Sequence, residues 1–228
     1  MNPNIARLIS FSALTALAGF LLSGPVGFLF VKMIHPQPLW ESPAVFAANY
    51  HIVQDVPYYF GILLIGGMLM LAAGLFLNAQ QENEKVRFHL LLALMWTTFF
   101  AALIFFNYIC QTTFVRHLAL QYRPEHDALI STFSMANPMS LAWAVEMWGY
   151  GVLGVATWLM SGYFFDKNKA IYWLLIANGV VSVLTVVFTV VDMKWLLTPP
   201  GVAGYFIWNV LMIALMIVIY QFSKKTTP

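Results

Sequence analysis

Charge is what this sequence has least of. Lys, Arg, Asp and Glu make up 9% of its 228 residues, against roughly 25% in ordinary soluble domains. A water-soluble fold with so little charge would leave large apolar patches exposed, which soluble monomers rarely do. Cysteine is nearly absent as well. The single Cys110 excludes an internal disulfide and any paired-Cys redox or Cys-rich zinc motif, and it reads as a small apolar filler within a span. Neither sign of charge dominates, with 11 Lys+Arg against 9 Asp+Glu and a formal net charge of +2, so there is no basic field for nucleic acid. No internal repeat is visible, which argues against an inverted-repeat transporter. No linker divides the chain, so residues 1–228 read as a single transmembrane domain.

What is abundant is hydrophobicity, 61% of the residues, gathered into long runs. A helix needs about 20 mostly apolar residues to cross a hydrocarbon core of ~30 Å. Six segments qualify as predicted spans: 8–31, 56–77, 88–114, 138–165, 170–191 and 200–222. The first is longer than the ~7–15-residue apolar part of a cleaved signal peptide, and no small-x-small site follows it, so it reads as a span. Continuous runs satisfy their backbone groups only as helices and lack the alternation of barrel strands. The expected fold class is therefore all-α, a polytopic transmembrane bundle of six helices. Asn137-Pro138 is expected to cap and open the fourth span, and Pro199-Pro200 to force an extended approach to the last. Thr15, Gly19, Ser23 and Gly27 form a small-residue stripe in the first span, and Gly66, Gly67 and Gly74 offer a similar surface in the second.

Positive charge sets the expected orientation. With six spans, one side carries Arg7, Lys85, Arg87, Lys167, Lys169, Lys224 and Lys225, and the other Lys32, Arg116, Arg123 and Lys194, a division of seven to four. The expected location is the bacterial inner (plasma) membrane, multi-pass, with both termini cytoplasmic. The two long connections, 32–55 and 115–137, then lie outside.

Glu146 is the most informative residue, the lone charge in the stretch 140–158. Counted from Pro138, it lies ~12 Å below the expected helix start at ~1.5 Å per residue. A carboxylate at that depth costs at least ~2.5 kcal/mol, so it should face protein or water and have a partner. Ala142, Tyr150 and Gly154 share its face. Candidate partners end the third span: Asn107 and Gln111 share one helical face, while Tyr108, Thr112 and Arg116 share another. At the mouth of the second span stand His51, Gln54, Asp55, Tyr58 and Tyr59, the fifth span ends outside with Asp192 and Lys194, and Asn209 lies about two turns into the last span. Polar groups thus converge from five spans on the outer side, and the cytoplasmic halves are expected to be almost purely apolar. Four of the five histidines, His35, His51, His117 and His126, fall outside. His51 and His117, with Asp55, are placed to meet above the bundle, but no paired-His spacing or Cys ligand supports a metal, and none is assigned. Nor does the sequence specify a cofactor.

The stretch 107–165 resembles part of a group of uncharacterised six-helix prokaryotic membrane proteins. The resemblance rests on Tyr108 and Gln111 at a span end, Asn137-Pro138, and Glu146 followed by Gly149-Tyr150, and it covers about a quarter of the chain. It implies a six-span topology and marks Glu146 as a shared feature, with no ligand or catalytic role attached.

The function expected from the residues alone is binding or transport of a small amphiphile or cation in an outer-half pocket. Its candidate residues are Glu146, Tyr108, Gln111, Asn107, Tyr150, His51, Asp55 and His117. Two alternatives stand beside it. One is an intramembrane enzyme on a lipid-like substrate, with Glu146 as general acid or base and Tyr108 or His117 as its partner. The other is a structural subunit held by homo-oligomer or membrane-complex contacts. The expected partners are the bilayer and such a ligand, and nucleic acid is not among them.

Overall fold

The computed structural model describes residues 2–225, so Met1 and residues 226–228 of the expected domain lie outside the described residues. Those described residues are helical with no strand. Five helical stretches are long and apolar enough to cross a membrane: Pro3–Ile34, Ile52–Asn78, Glu84–Leu120, Lys169–Val191 and Pro199–Lys225. Phe11, Phe28, Phe99, Phe106, Val191 and Phe206 lie exposed on them, as suits a lipid solvent. Several such helices make this a multi-pass membrane protein. The expected sixth segment, 138–165, is not among them.

In chain order the helices are α1 (Pro3–Ser23), α2 (Pro25–Ile34), α3 (Pro43–Ala48), α4 (Val56–Asn78), α5 (Glu84–Ile109), α6 (Arg116–Leu120), α7 (Asp127–Phe133), α8 (Leu141–Phe164), α9 (Lys169–Val191) and α10 (Pro199–Lys225). The six long ones, α1, α4, α5, α8, α9 and α10, pack in that order into a closed ring, α10 returning to α1. Where α1 meets α4 the backbones touch: a Cβ on Gly19 would lie 2.2 Å from Leu64 N, and one on Gly67 2.4 Å from Ala16 N. Part of the expected small-residue surface therefore packs helix on helix, whereas Gly66 faces open space. α8 is the most enclosed, with 14 of its 24 residues buried. A helix surrounded by protein can carry Glu146, tyrosines and glycines that lower its apolarity, because little of it is solvated by lipid.

Helix starts differ from expectation in three places. The first run is broken at Gly24, with Pro25 opening α2. The fourth is capped by Ser140, whose Oγ accepts from Trp143 N at 2.9 Å, and not by Asn137. Asn137 Oδ1 instead accepts from Met139 N at 3.0 Å, a turn bond that holds the chain short of the helix. Glu146 is thus five residues from the helix start, ~7.5 Å and not ~12 Å. At the last run, Thr198 is the extended residue, and Pro199-Pro200 already belong to the first turn of α10. Proline tolerates that turn because its missing N–H has no helical partner there.

The two long connections share one end of the bundle and build a cap. Phe46 of α3 packs with Val115, Leu118, Ala119 and Ile130 in a small core separate from that of the ring. At the opposite end the short turns are tied by Lys167 Nζ to Glu82 at 2.7 Å and by Asn78 Nδ2 to Tyr163 OH at 2.5 Å.

Candidate functional site

Glu146 lies at the cap end of α8 and is 6% exposed. The partners its burial demands come from α5: Asn107 Nδ2 donates to Oε2 at 2.8 Å, and Tyr108 OH donates to Oε1 at 3.0 Å. Asn107 Nδ2 also donates to Ala142 O at 3.1 Å, which fixes the orientation of its amide. The Tyr108 and Tyr150 hydroxyls are 3.3 Å apart. Gly61 of α4 makes room for the Tyr108 ring, since a Cβ there would stand 2.1 Å from its Cε2. Two helices are thus joined through a carboxylate both of whose oxygens accept.

Beyond Ile109 the helix does not keep its α-helical register. Residues Cys110–Val115 form a π-helical turn that leads into α6, a widening that recurs at functional sites. The wider turn aims Gln111 at the C-terminal end of α7 and the turn that follows it, where its Nε2 donates to Phe133 O at 2.8 Å and its Oε1 accepts from Met135 N at 2.9 Å. Its Nε2 also lies 3.4 Å from Asn107 Oδ1, so Gln111 bridges the Glu146 cluster to the cap. The expected face of Tyr108, Thr112 and Arg116 does not act as a unit. Thr112 Oγ1 donates to Tyr108 O of its own helix at 2.8 Å, and Arg116 reaches toward Asp55 at 4.0 Å.

Asp55 forms a second buried acidic position, 2% exposed. Tyr50 OH donates to its Oδ2 at 2.6 Å. Burial first, and then that bond, pushes the Tyr50 phenol above the ordinary tyrosine range. Tyr50, Gln54, Asp55, Tyr58, Gln111 and Ser134 line a cavity of ≈ 20 Å³, room for about one water. Gln54 is oriented by its Nε2, which donates to Asn49 O at 3.0 Å, and its buried Oε1 has no protein partner. Tyr58 closes the inner wall with its ring centroid 5.3 Å from that of Tyr108. A polar column therefore runs from Asp55 through the cavity and Gln111 to Asn107, Glu146, Tyr108 and Tyr150.

Of the residues singled out in the sequence, Glu146, Asn107, Tyr108, Gln111 and Tyr150 come together, with Asp55 in the adjoining recess. His51 and His117 do not join them. His51 accepts from Val53 N at 3.2 Å and lies ring to ring with His35, centroids 4.6 Å apart. His117 is exposed on α6, whereas the donors to Glu146 are Asn107 and Tyr108. Among the described residues no three His, Cys, Asp or Glu side chains gather as metal ligands.

Sequence reasoning missed Tyr50 and the 133–135 segment, which lie in connections without periodicity. It also missed polar groups deeper in the ring. Asn178 and Ser182 of α9 are buried, and neither side chain has a partner. Thr157 and Ser161 on α8 bond back to their own helix. Buried polar groups thus extend to the middle of α9 and into the far half of α8. The signal was present, because Asn178 and Ser182 are an i, i+4 polar pair inside an apolar run. No protein-family model, curated protein or solved structure matches the chain.

Proposed function

We propose that this chain is a six-span protein of the bacterial inner membrane that takes a small cation from the outer side, to bind or transport it, between Asp55 and Glu146. In this reading α8 is the sixth crossing, since its 24 residues extend ~36 Å and it stands between α5 and α9 in the ring. Both terminal ends are then cytoplasmic, as the seven-to-four distribution of Lys and Arg favours, and the cap faces outward. A reporter fused after Pro228 is expected to be active only in the cytoplasm, and an external signal there would overturn the even span number.

The observation that carries the proposal is a surplus of buried acid over base along one column. Asp55 and Glu146 are both almost fully buried. The cationic group near either is Arg116, 4.0 Å from Asp55, and no ion pair among the described residues includes Glu146. A ligand cation would answer that charge, with Gln54 Oε1 as a further acceptor and the Tyr50 and Tyr58 rings beside it. The cavity volume suits an ammonium-sized ion better than an amphiphile, for which the cap would have to part.

Methylammonium and ammonium titrated into the purified protein, at constant sodium, test this. Wild type is expected to bind saturably, and Asp55→Asn and Glu146→Gln each to weaken binding at least about tenfold, or ~1.4 kcal/mol. The fold should survive Glu146→Gln. The new amide oxygen can still accept from Asn107, and its NH2 can donate to Tyr108, whose hydroxyl turns toward Tyr150. No saturable binding in wild type would sink the proposal. A second reading is favoured by the internal capture of both Glu146 oxygens: Glu146 joins α5 to α8 in a structural subunit. Full binding by the Gln variant, or co-purification of a fixed partner without binding, would favour it.

A further inference from the structure

We propose that the break between α1 and α2 is a separate site for a dehydrated, sodium-sized monovalent cation, completed by Asn209 of α10. At Gly24 the backbone leaves the helix, with φ −96° and ψ −111°. The residue that should close the turn on the Leu21 carbonyl is Pro25, which has no N–H to give. A carbonyl at the end of α1 is therefore released from its helical donor in the middle of the apolar run Pro3–Ile34.

Asn209 supplies the independent observation. It lies ten residues into α10, ~15 Å from its first turn, and is 8% exposed. Its Nδ2 donates to Tyr205 O at 2.7 Å, so the amide cannot turn over without losing that bond. Its Oδ1 is left buried with no partner. That oxygen is 3.9 Å, and the Tyr205 hydroxyl 4.0 Å, from the point where a Cβ on Gly24 would stand. The Phe20 carbonyl oxygen is nearer still, 2.9 Å from that point, so a side chain at residue 24 would crowd the gap between the break and α10. Phe20 of α1 and Trp208 of α10 pack ring to ring across the same pair of helices, centroids 5.3 Å apart.

The ligand class follows from the donor set. Asn209 Oδ1, the Tyr205 oxygen and backbone carbonyls are all neutral oxygens. Calcium and magnesium sites rely on carboxylates, and none is among the atoms nearest the break at Gly24. Neutral oxygens at a helix break suit a monovalent hard cation, as at interrupted helices in membrane transporters.

The test is thermal unfolding of the full-length protein in detergent. NaCl is exchanged for N-methyl-D-glucamine chloride, whose cation is far larger than sodium, at constant ionic strength and without ammonium or methylammonium salts. A saturable rise of Tm with sodium is expected, with potassium less effective. Asn209→Ala should raise the sodium midpoint at least about tenfold. Asn209→Asp covers the case in which the Ala variant fails to fold: it keeps the oxygen, adds charge, and should retain the sodium response while gaining one to calcium. Equal Tm in the two salts overturns the proposal, as does an Asp variant indifferent to both ions. Loss of the response in Glu146→Gln with Asn209→Ala unaffected also overturns it, by placing the ion at the carboxylate cluster.

Discussion

Asp55 and Glu146 are buried to nearly the same degree, but the regions around them handle a carboxylate differently. Asp55 lies under the cap, beside a cavity, with a phenol at 2.6 Å and a guanidinium at 4.0 Å. Glu146 lies inside the ring and is held by an amide and a phenol of one neighbouring helix. Near the cap a charge meets a counter-charge that is itself partly exposed, and both can trade their contacts for water. Within the ring every partner is neutral and nothing replaces a lost bond. Removing a side chain should therefore cost far more in the ring than in the cap.

The largest effect is expected from Glu146→Ala. It would leave Asn107 and Tyr108 donating into a void, at a cost of ~3 kcal/mol from the unpaired donors and the cavity together. Asp55→Ala should cost roughly half as much, and a denaturation series in one detergent that ranked them the other way would break the comparison. Next comes Gly61→Ala. The added methyl would collide with the Tyr108 ring and cost ~2 kcal/mol, and Gly61→Ala combined with Tyr108→Phe should show strong non-additivity. Tyr50→Phe removes one bond to Asp55 and is expected to cost ~1 kcal/mol. It should also increase protease access to the cap before the ring unfolds, which a limited-digestion time course would show. The smallest effect belongs to Arg116→Ala. Its contact to Asp55 is long and its side chain is 32% exposed, so a loss under ~1 kcal/mol that fades in high salt is expected.

The residues of the ring cluster were legible in the sequence because an apolar setting leaves so few alternatives. Glu146 stands alone in its stretch, and the polar side chains one span earlier had to be spent inside the protein. The cap was legible only as two long connections. Its core joins Phe46 to Ile130, a pairing with no periodic pattern behind it. The π-helical turn at Cys110–Val115 has no local sequence mark, yet Asn107 and Gln111 keep the shared face their spacing implies, 3.4 Å apart. Ser140 replaced Asn137 as the cap because the Asn137 Oδ1 closes a turn before the helix, accepting from Met139 N at 3.0 Å, while its Nδ2 donates to Ser131 O at 2.7 Å. Five helices are apolar enough to cross a membrane, and α8 is not among them; that its neighbours enclose it could not be read from hydropathy.

The closed ring has a consequence for how the protein is made. Domains take shape from the N-terminal side while the chain is still emerging, and the pair formed by α1 and α4 has its mates early. The seam between α1 and α10 closes only when the final helix leaves the insertion machinery. Until then the Phe20 side of α1 must be sheltered by lipid or by a chaperone. A ribosome stalled before Trp208 would leave an assembly whose ring gapes along that seam.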